Sequence, residues 1–316
     1  MKLPELATVR LWLLLLLPFA LWGTAMTAMT PLLETGGGWF VAGLRLLPAG
    51  LVLLVWVLIS GRNLMVDRRD LGWFALFTLV DACLFQGLLA HGLDGTGAGL
   101  GSVLIDCQPL LVALLARALF AESINPVGWI GLGLGFAGIL CLGVPSELLG
   151  HWWLLRDLPP VVQVLQPGEA TMLLAALAMA VGTVLIRFAC RHSDPVATTA
   201  WHMLLGGLPL LLIAEFEQGS LLPAWDLADW MRMAYASVLG SALAYGLFFW
   251  FARRRDLTSF SSLGFLTPVF ALATGGWLLG ERLDPLQWVG VLMVLISVIC
   301  VSQRRRLWEP EIRVES

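Results

Sequence analysis

Residues 102–131 read SVLIDCQPLLVALLARALFAESINPVGWIG, and residues 261–290 read SSLGFLTPVFALATGGWLLGERLDPLQWVG. Laid over one another at an offset of 159 positions, they put Ser102 on Ser261, Pro109 on Pro268, Leu119 on Leu278 and Glu122 on Glu281. Pro126 then falls on Pro285, Trp129 on Trp288 and Gly131 on Gly290. Chance similarity between apolar stretches produces scattered Leu and Gly matches, not an ordered series of Pro, Glu, Pro, Trp and Gly at one offset. The register extends outward, with Gly23-Thr24 on Gly182-Thr183, Gly87 on Gly246 and Cys141 on Cys300, and no gap is needed between 81 and 143. The chain is therefore expected to be two copies of one structural unit.

Composition says what medium the copies occupy. Of 316 residues, 59% are hydrophobic and 13% charged, against roughly 45–50% and about 25% in soluble domains. The charges are bunched in short clusters such as Arg68-Arg69-Asp70, Arg253-Arg254-Arg255 and Arg304-Arg305-Arg306, separated by long uncharged runs. That is the pattern of alternating spans and loops. Ten runs are long enough to cross about 30 Å of hydrocarbon at about 1.5 Å per residue. They lie near 11–30, 39–60, 71–92, 98–119, 126–145, 171–190, 196–215, 230–252, 259–280 and 285–302. Helices are required, because an open sheet leaves backbone polar groups unsatisfied in lipid and the runs lack a barrel's alternation. The first run continues past Trp22 to Pro31 without an A-x-A-like cleavage site, so it reads as a span and not as a cleaved leader. Residues 146–170, with Trp152-Trp153 and Pro159-Pro160, suggest an interfacial linker.

The expected fold is thus an all-α polytopic membrane protein of ten transmembrane helices. Residues 1–145 form the first repeat, 171–303 the second, and 304–316 a tail. Each copy holds an odd number of crossings, so the second copy enters the membrane inverted, an arrangement found in many secondary transporters. Fifteen of the nineteen basic residues fall on one face, three (Arg156, Arg232, Arg282) on the other, and Arg45 lies inside a span. The basic face is cytoplasmic. Both termini are expected there, in a multi-pass protein of the inner (plasma) membrane, with an internal thylakoid-type membrane left open.

Charged and polar residues inside spans are costly and so face a cavity or a partner. Arg45 and Asp106 lie at comparable depths, which allows an ion pair between the second and fourth spans; a direct substrate or proton role for Asp106 stays open beside it. Asp81, mid-span, competes for Arg45. His202 reads either as a packing histidine or as a proton relay. Pro109 and Pro268 each remove a backbone donor at matching places in the two copies, and paired interruptions in inverted repeats point to a binding site. Around them lie Ser102, Asp106 and Gln108 in one half, and Ser261, Ser262 and Thr267 in the other. A central cavity is expected between the fourth and ninth spans, closed by Trp22, Gln86 and Tyr245. The five cysteines sit in apolar runs without a CxxC pair and read as packing residues, so no metal or cofactor is expected.

Trp22-Gly23, Arg45, the stretch Pro109 to Glu122 and its copy Pro268 to Glu281 resemble the EamA family of the drug/metabolite transporter superfamily over nearly the whole chain. Residues 99–110 (GLGSVLIDCQPL), Ser193-Asp194-Pro195 and Trp201-His202-Met203 resemble its cyanobacterial and chloroplast branch. The resemblance implies a ten-helix secondary carrier working by alternating access, with a central cavity lined by the first four helices of each half. It also implies a small metabolite, such as an amino acid or related solute, often moved outward. The expected partners are that solute and the lipid bilayer, with a homodimer left open and no nucleic acid. A receptor or assembly protein on a transporter scaffold is the rival reading. An intramembrane enzyme is a weaker one, since His91-Gly92-Leu93-Asp94 is too short for an HxxxxD acyltransferase and no GxSxG, HExxH or P-loop string occurs.

Overall fold

A computed structural model describes residues 3–143, 167–218, 223–279 and 285–308, and only the backbone at 3–8, 94–95, 97–103, 143, 218 and 275–279. Most of the linker expected at 146–170, and the tail beyond Trp308, lie outside the described residues. Among those residues the protein is all helical. In chain order the helices are α1 (Leu3–Gly36), α2 (Gly38–Ile59), α3 (Leu71–Phe77), α4 (Gln86–Ile105), α5 (Gln108–Phe120), α6 (Pro126–Gly143) and α7 (Pro167–Ala189). They continue as α8 (Pro195–Gln218), α9 (Leu227–Ser237), α10 (Ala244–Arg254), α11 (Leu257–Ser261), α12 (Thr267–Leu279), α13 (Pro285–Ser302) and α14 (Arg304–Trp308). Eight stretches of described helix are long and apolar enough to cross a membrane, and α5 and α6 are shorter apolar helices. Large side chains such as Leu51, Trp56, Ile59, Leu212 and Ile299 point outward, as a lipid solvent permits.

The two halves break at matching places. Helices α5 and α6 begin and end at the residues that the 159-residue offset carries onto α12 and α13. A π-helical segment, Thr78–Phe85, joins α3 to α4, and a second, Val238–Leu243, joins α9 to α10 inside the stretch 237–244 that the offset matches to the first. Such segments insert a wide turn that re-aims side chains and recur at functional sites.

The fourth span departs from expectation. It was expected over 98–119, interrupted at Pro109, after a connection at 93–97, yet the backbone is helical across 93–97 and the break falls ahead of the proline, at Asp106-Cys107. The cause is Pro109, which has no N–H for the Ile105 carbonyl and whose ring clashes with it. One helix stops at Ile105 and a new one starts with the proline in its first turn, where a missing N–H costs nothing. In the second half the same task falls to a 3-10 stretch, Ser262–Leu266, ahead of Pro268.

Small residues set the helix contacts. Helix α2 runs antiparallel to α8, Gly43 facing Gly207 and Leu211, and Gly50 facing Ala200 and Leu204. Helices α6 and α13 are likewise antiparallel, Gly131 meeting Val301 and Gly138 meeting Gly290 and Val294, while Gly290 in turn meets Leu142. Along α7 the chain passes twice: Trp73 stacks on Phe188, Asp81 lies against Gly182 and Gly92 against Met172, then Gln108 returns to Thr183 and Phe120 to Phe188.

Candidate functional site

The π segment Thr78–Phe85 delivers Gln86 to the first turn of α4, where it is 1% exposed. There its side-chain oxygen accepts from the Arg45 guanidinium, and its Nε2 donates to the Tyr245 hydroxyl at 2.9 Å. Arg45 also points Nη1 at the Met29 sulfur, 3.5 Å away, and its backbone carbonyl accepts from Ser237. Its Nε has no partner, and no carboxylate stands within ion-pair distance of it among the described residues. Gln86 and Tyr245 stand 159 positions apart, so each is the other's counterpart in the repeat. A residue that touches its own counterpart lies where the two halves meet. Trp22 completes the cluster, its half-buried ring 4.8 Å from both Tyr245 and Phe248, with its indole N–H unpartnered. The three residues expected to close a cavity are thus brought together.

The expected ion pair is not formed among the described residues. Arg45 turns to Gln86, and Asp106, at the helix break, keeps its Oδ2 buried without a partner. Depth along a helix fixes the level of a side chain but not the direction it faces. Asp81 is not a competitor for Arg45 either; its Oδ2 lies 3.0 Å from Nε2 of His202, both residues being 1% exposed. Nδ1 of His202 faces the Thr199 carbonyl, and Phe77 stacks on the imidazole at 4.4 Å.

At the interruptions, Gln108 opens α5 and donates to Thr183 at 3.2 Å. Pro109 is buried against Gly264, where an added Cβ would come within 3.3 Å of the proline ring, so the broken segments of the two halves touch. Ser261 and Ser262 are buried and bond to carbonyls three residues back. Thr267 and Pro268 open α12, with the Thr267 carbonyl set against Gly23. The Ser102 side chain is outside the described residues. No group of three His, Cys, Asp or Glu that could hold a metal occurs among the described residues.

One end of the bundle gathers the basic residues. Glu122 accepts from Arg187 and from the amides of Leu257 and Thr258, capping α11. Nη2 of Arg304 donates to both oxygens of Asp256 at 3.0 Å. Burial pushes the Asp256 carboxyl up, but the Ser259 amide and the Arg304 charge outweigh it and hold the group below its ordinary range. Burial likewise raises Asp70, and the His192 ring and amide with the Ser193 hydroxyl, at 2.8 to 2.9 Å, overcome it and leave Asp70 lowered. Two cavities open here, of about 280 and 500 Å³, the larger lined by Arg62, His192, Asp194, Arg253 and Arg254. None of the expected site residues lines either.

Thr183 and Gly264 enter the site without having been expected there, while Ser237, which shares a helix face with Ser241 and Tyr245, spends its hydroxyl on the interhelical bond to the Arg45 carbonyl. The offset that matches the halves carried the signal for the pair at its centre, since Gln86 maps onto Tyr245.

The family profile described as "EamA-like transporter family" matches residues 10–144 and again 166–303. A Synechocystis protein described as an uncharacterized transporter is 49% identical over 95% of this chain and 92% of its own length. An Arabidopsis thaliana protein described as WAT1-related and chloroplastic is 44% identical over 92% of this chain and 69% of its own. An Escherichia coli protein described as an uncharacterized inner membrane transporter is 25% identical over 92% and 90%. A solved crystal structure at 15% identity superposes with a TM-score of 0.78, covering 94% of this chain and 98% of its own, a likeness of fold alone. Two copies of one family profile, apolar helices along the whole described chain, and transporter relatives over nearly its full length lead to one conclusion: this multi-pass membrane protein belongs to the EamA-like transporter family.

Proposed function

We propose that this chain is a secondary carrier that moves a small carboxylate-bearing solute, such as an amino acid, outward by alternating access between two inverted five-helix repeats. Ten crossings, cytoplasmic termini and a site at the meeting of the halves belong to the same reading. The observation that carries it is Arg45. A cation at the bilayer centre costs at least about 2.5–3.5 kcal/mol, and proteins meet that cost with a counter-ion. Here the guanidinium donates to a neutral amide and a thioether and has no described carboxylate beside it. A solute carboxylate supplies the missing charge, and a bidentate fork suits it. Antiparallel contact between α6 and its counterpart α13 supports the inverted arrangement, as does the touching of Gln86 and Tyr245. The side chains at the breaks, Asp106, Gln108, Ser261 and Thr267 beside Pro109 and Pro268, meet the rest of the solute.

Efflux of labelled L-amino acids from preloaded proteoliposomes tests this. Arg45→Ala, folded in the membrane, is expected to lose saturable efflux of every carboxylate solute that the wild type moves. Efflux persisting at the wild-type rate in Arg45→Ala sinks the reading, and binding without flux in the wild type favours a receptor.

A further inference from the structure

We infer that Asp81 and His202 bind the proton that travels with the solute, an inference that rests on the carrier function proposed above. Nδ1 of His202 faces the Thr199 carbonyl oxygen, which only accepts, so Nδ1 carries a hydrogen. Nε2 then stands 3.0 Å from Oδ2 of Asp81. Two lone pairs do not face each other at that distance, so one proton lies between them, on either atom. The loaded pair is neutral overall. Losing the proton leaves one negative charge in a site 1% exposed, with Phe77 and Phe249 closing over the imidazole. The carboxylate must then turn. Its other oxygen has no partner and touches α7 at Gly182, where an added Cβ would lie 2.3 Å away. Unloading therefore pushes the π segment against α7, which is how a proton is converted into helix movement.

The surroundings give the sign of the coupling. Of the packed elements, α7 presents Gly182 and no titratable group, the π segment adds Cys83, bonded to the Gly206 carbonyl at 3.8 Å, and α10 presents Tyr245. The Tyr245 hydroxyl is within electrostatic reach of both Asp81 and Arg45, with Arg45 reached through Gln86. With the pair loaded, Arg45 is the one net charge among the described residues of this cluster; unloading the pair adds a negative charge on the far side of Tyr245. An anionic solute binds better to the first state, so proton and solute bind together and leave together, driven by the solute gradient.

Proteoliposomes preloaded with labelled L-amino acids and a pH-sensitive dye, held at equal pH on both sides between about 5.5 and 8, test this. Wild-type efflux is expected to fall as pH rises and to carry one proton per solute. An opposing gradient of one pH unit is expected to hold back about a tenfold solute ratio. The residual efflux of Asp81→Asn and His202→Gln is expected to be flat with pH and to move no protons, while His91→Gln keeps the wild-type profile. Flux without proton movement in the wild type, or an unaltered pH profile in both site variants, overturns the proposal. Should neither variant fold, a chain retaining His202 as its one histidine decides by nitrogen-15 NMR. Nε2 is expected to respond to pH while Nδ1 stays protonated, and an unresponsive Nε2 overturns the proposal. Absent efflux of every labelled amino acid, together with a responsive Nε2, sinks the carboxylate-solute reading and upholds the proton site.

Discussion

A buried arginine held by an amide puts unusual weight on that amide. Gln86 spends its oxygen on Arg45 and its nitrogen on Tyr245, so truncating it strands both partners in a place without water. A double-mutant cycle of Gln86→Ala and Tyr245→Phe, read by thermal unfolding in detergent, is expected to give a coupling of about 0.6–1.7 kcal/mol, the range measured for hydrogen bonds between membrane helices. The cycle of Arg45→Ala with Asp106→Ala is expected to be additive, because the two side chains do not pair. At the basic end, the Asp70 carboxyl is held below its ordinary range by His192 and Ser193. A group with a depressed folded-state pKa stabilises above its unfolded pKa and loses that contribution as pH falls through the folded value. Wild type is therefore expected to melt above Asp70→Asn at neutral pH, with the gap closing only in strong acid; a gap that widened on acidification would contradict the assignment.

The π segments and the broken spans are where element boundaries meet function. Leu79 faces lipid within the first π segment. Deleting it is expected to tighten the segment into ordinary α-helix, turn Gln86 by roughly a third of a revolution, and abolish flux while circular dichroism stays unchanged. Retained flux would mean that the wide turn aims nothing. Where helices pack on glycine the outcome is different in kind: Gly290→Val inserts atoms within 2.8 Å of the Gly138 carbonyl, and a loss of about 1–3 kcal/mol in unfolding is expected. The helical class, the repeat and the interruptions at Pro109 and Pro268 were legible in sequence, because hydropathy and proline act locally. The partnerships were not. Arg45 choosing Gln86 over Asp106, and Asp81 choosing His202, depend on which way a helix is turned about its axis, and a π segment changes that turn without leaving a hydropathy signal.

For the molecule as a whole, the distribution of basic residues gives the proposed carrier its expected orientation. Reporter fusions after Arg255 and after Ser316 are expected to read cytoplasmic, and one after Gln218 external; an external carboxy terminus would remove both the ten-crossing count and the inversion. Between α6 and α13 the halves meet reciprocally, Gly131 meeting Val301 as Leu142 meets Gly290. Where position 86 meets its own counterpart at 245, the reciprocity of contact is kept but the chemistry differs. Here one is glutamine and the other tyrosine. Two equal halves would give the inward-facing and outward-facing states of the proposed carrier the same energy; unlike groups at the pivot set those energies apart, while the direction of net flux stays with the gradients.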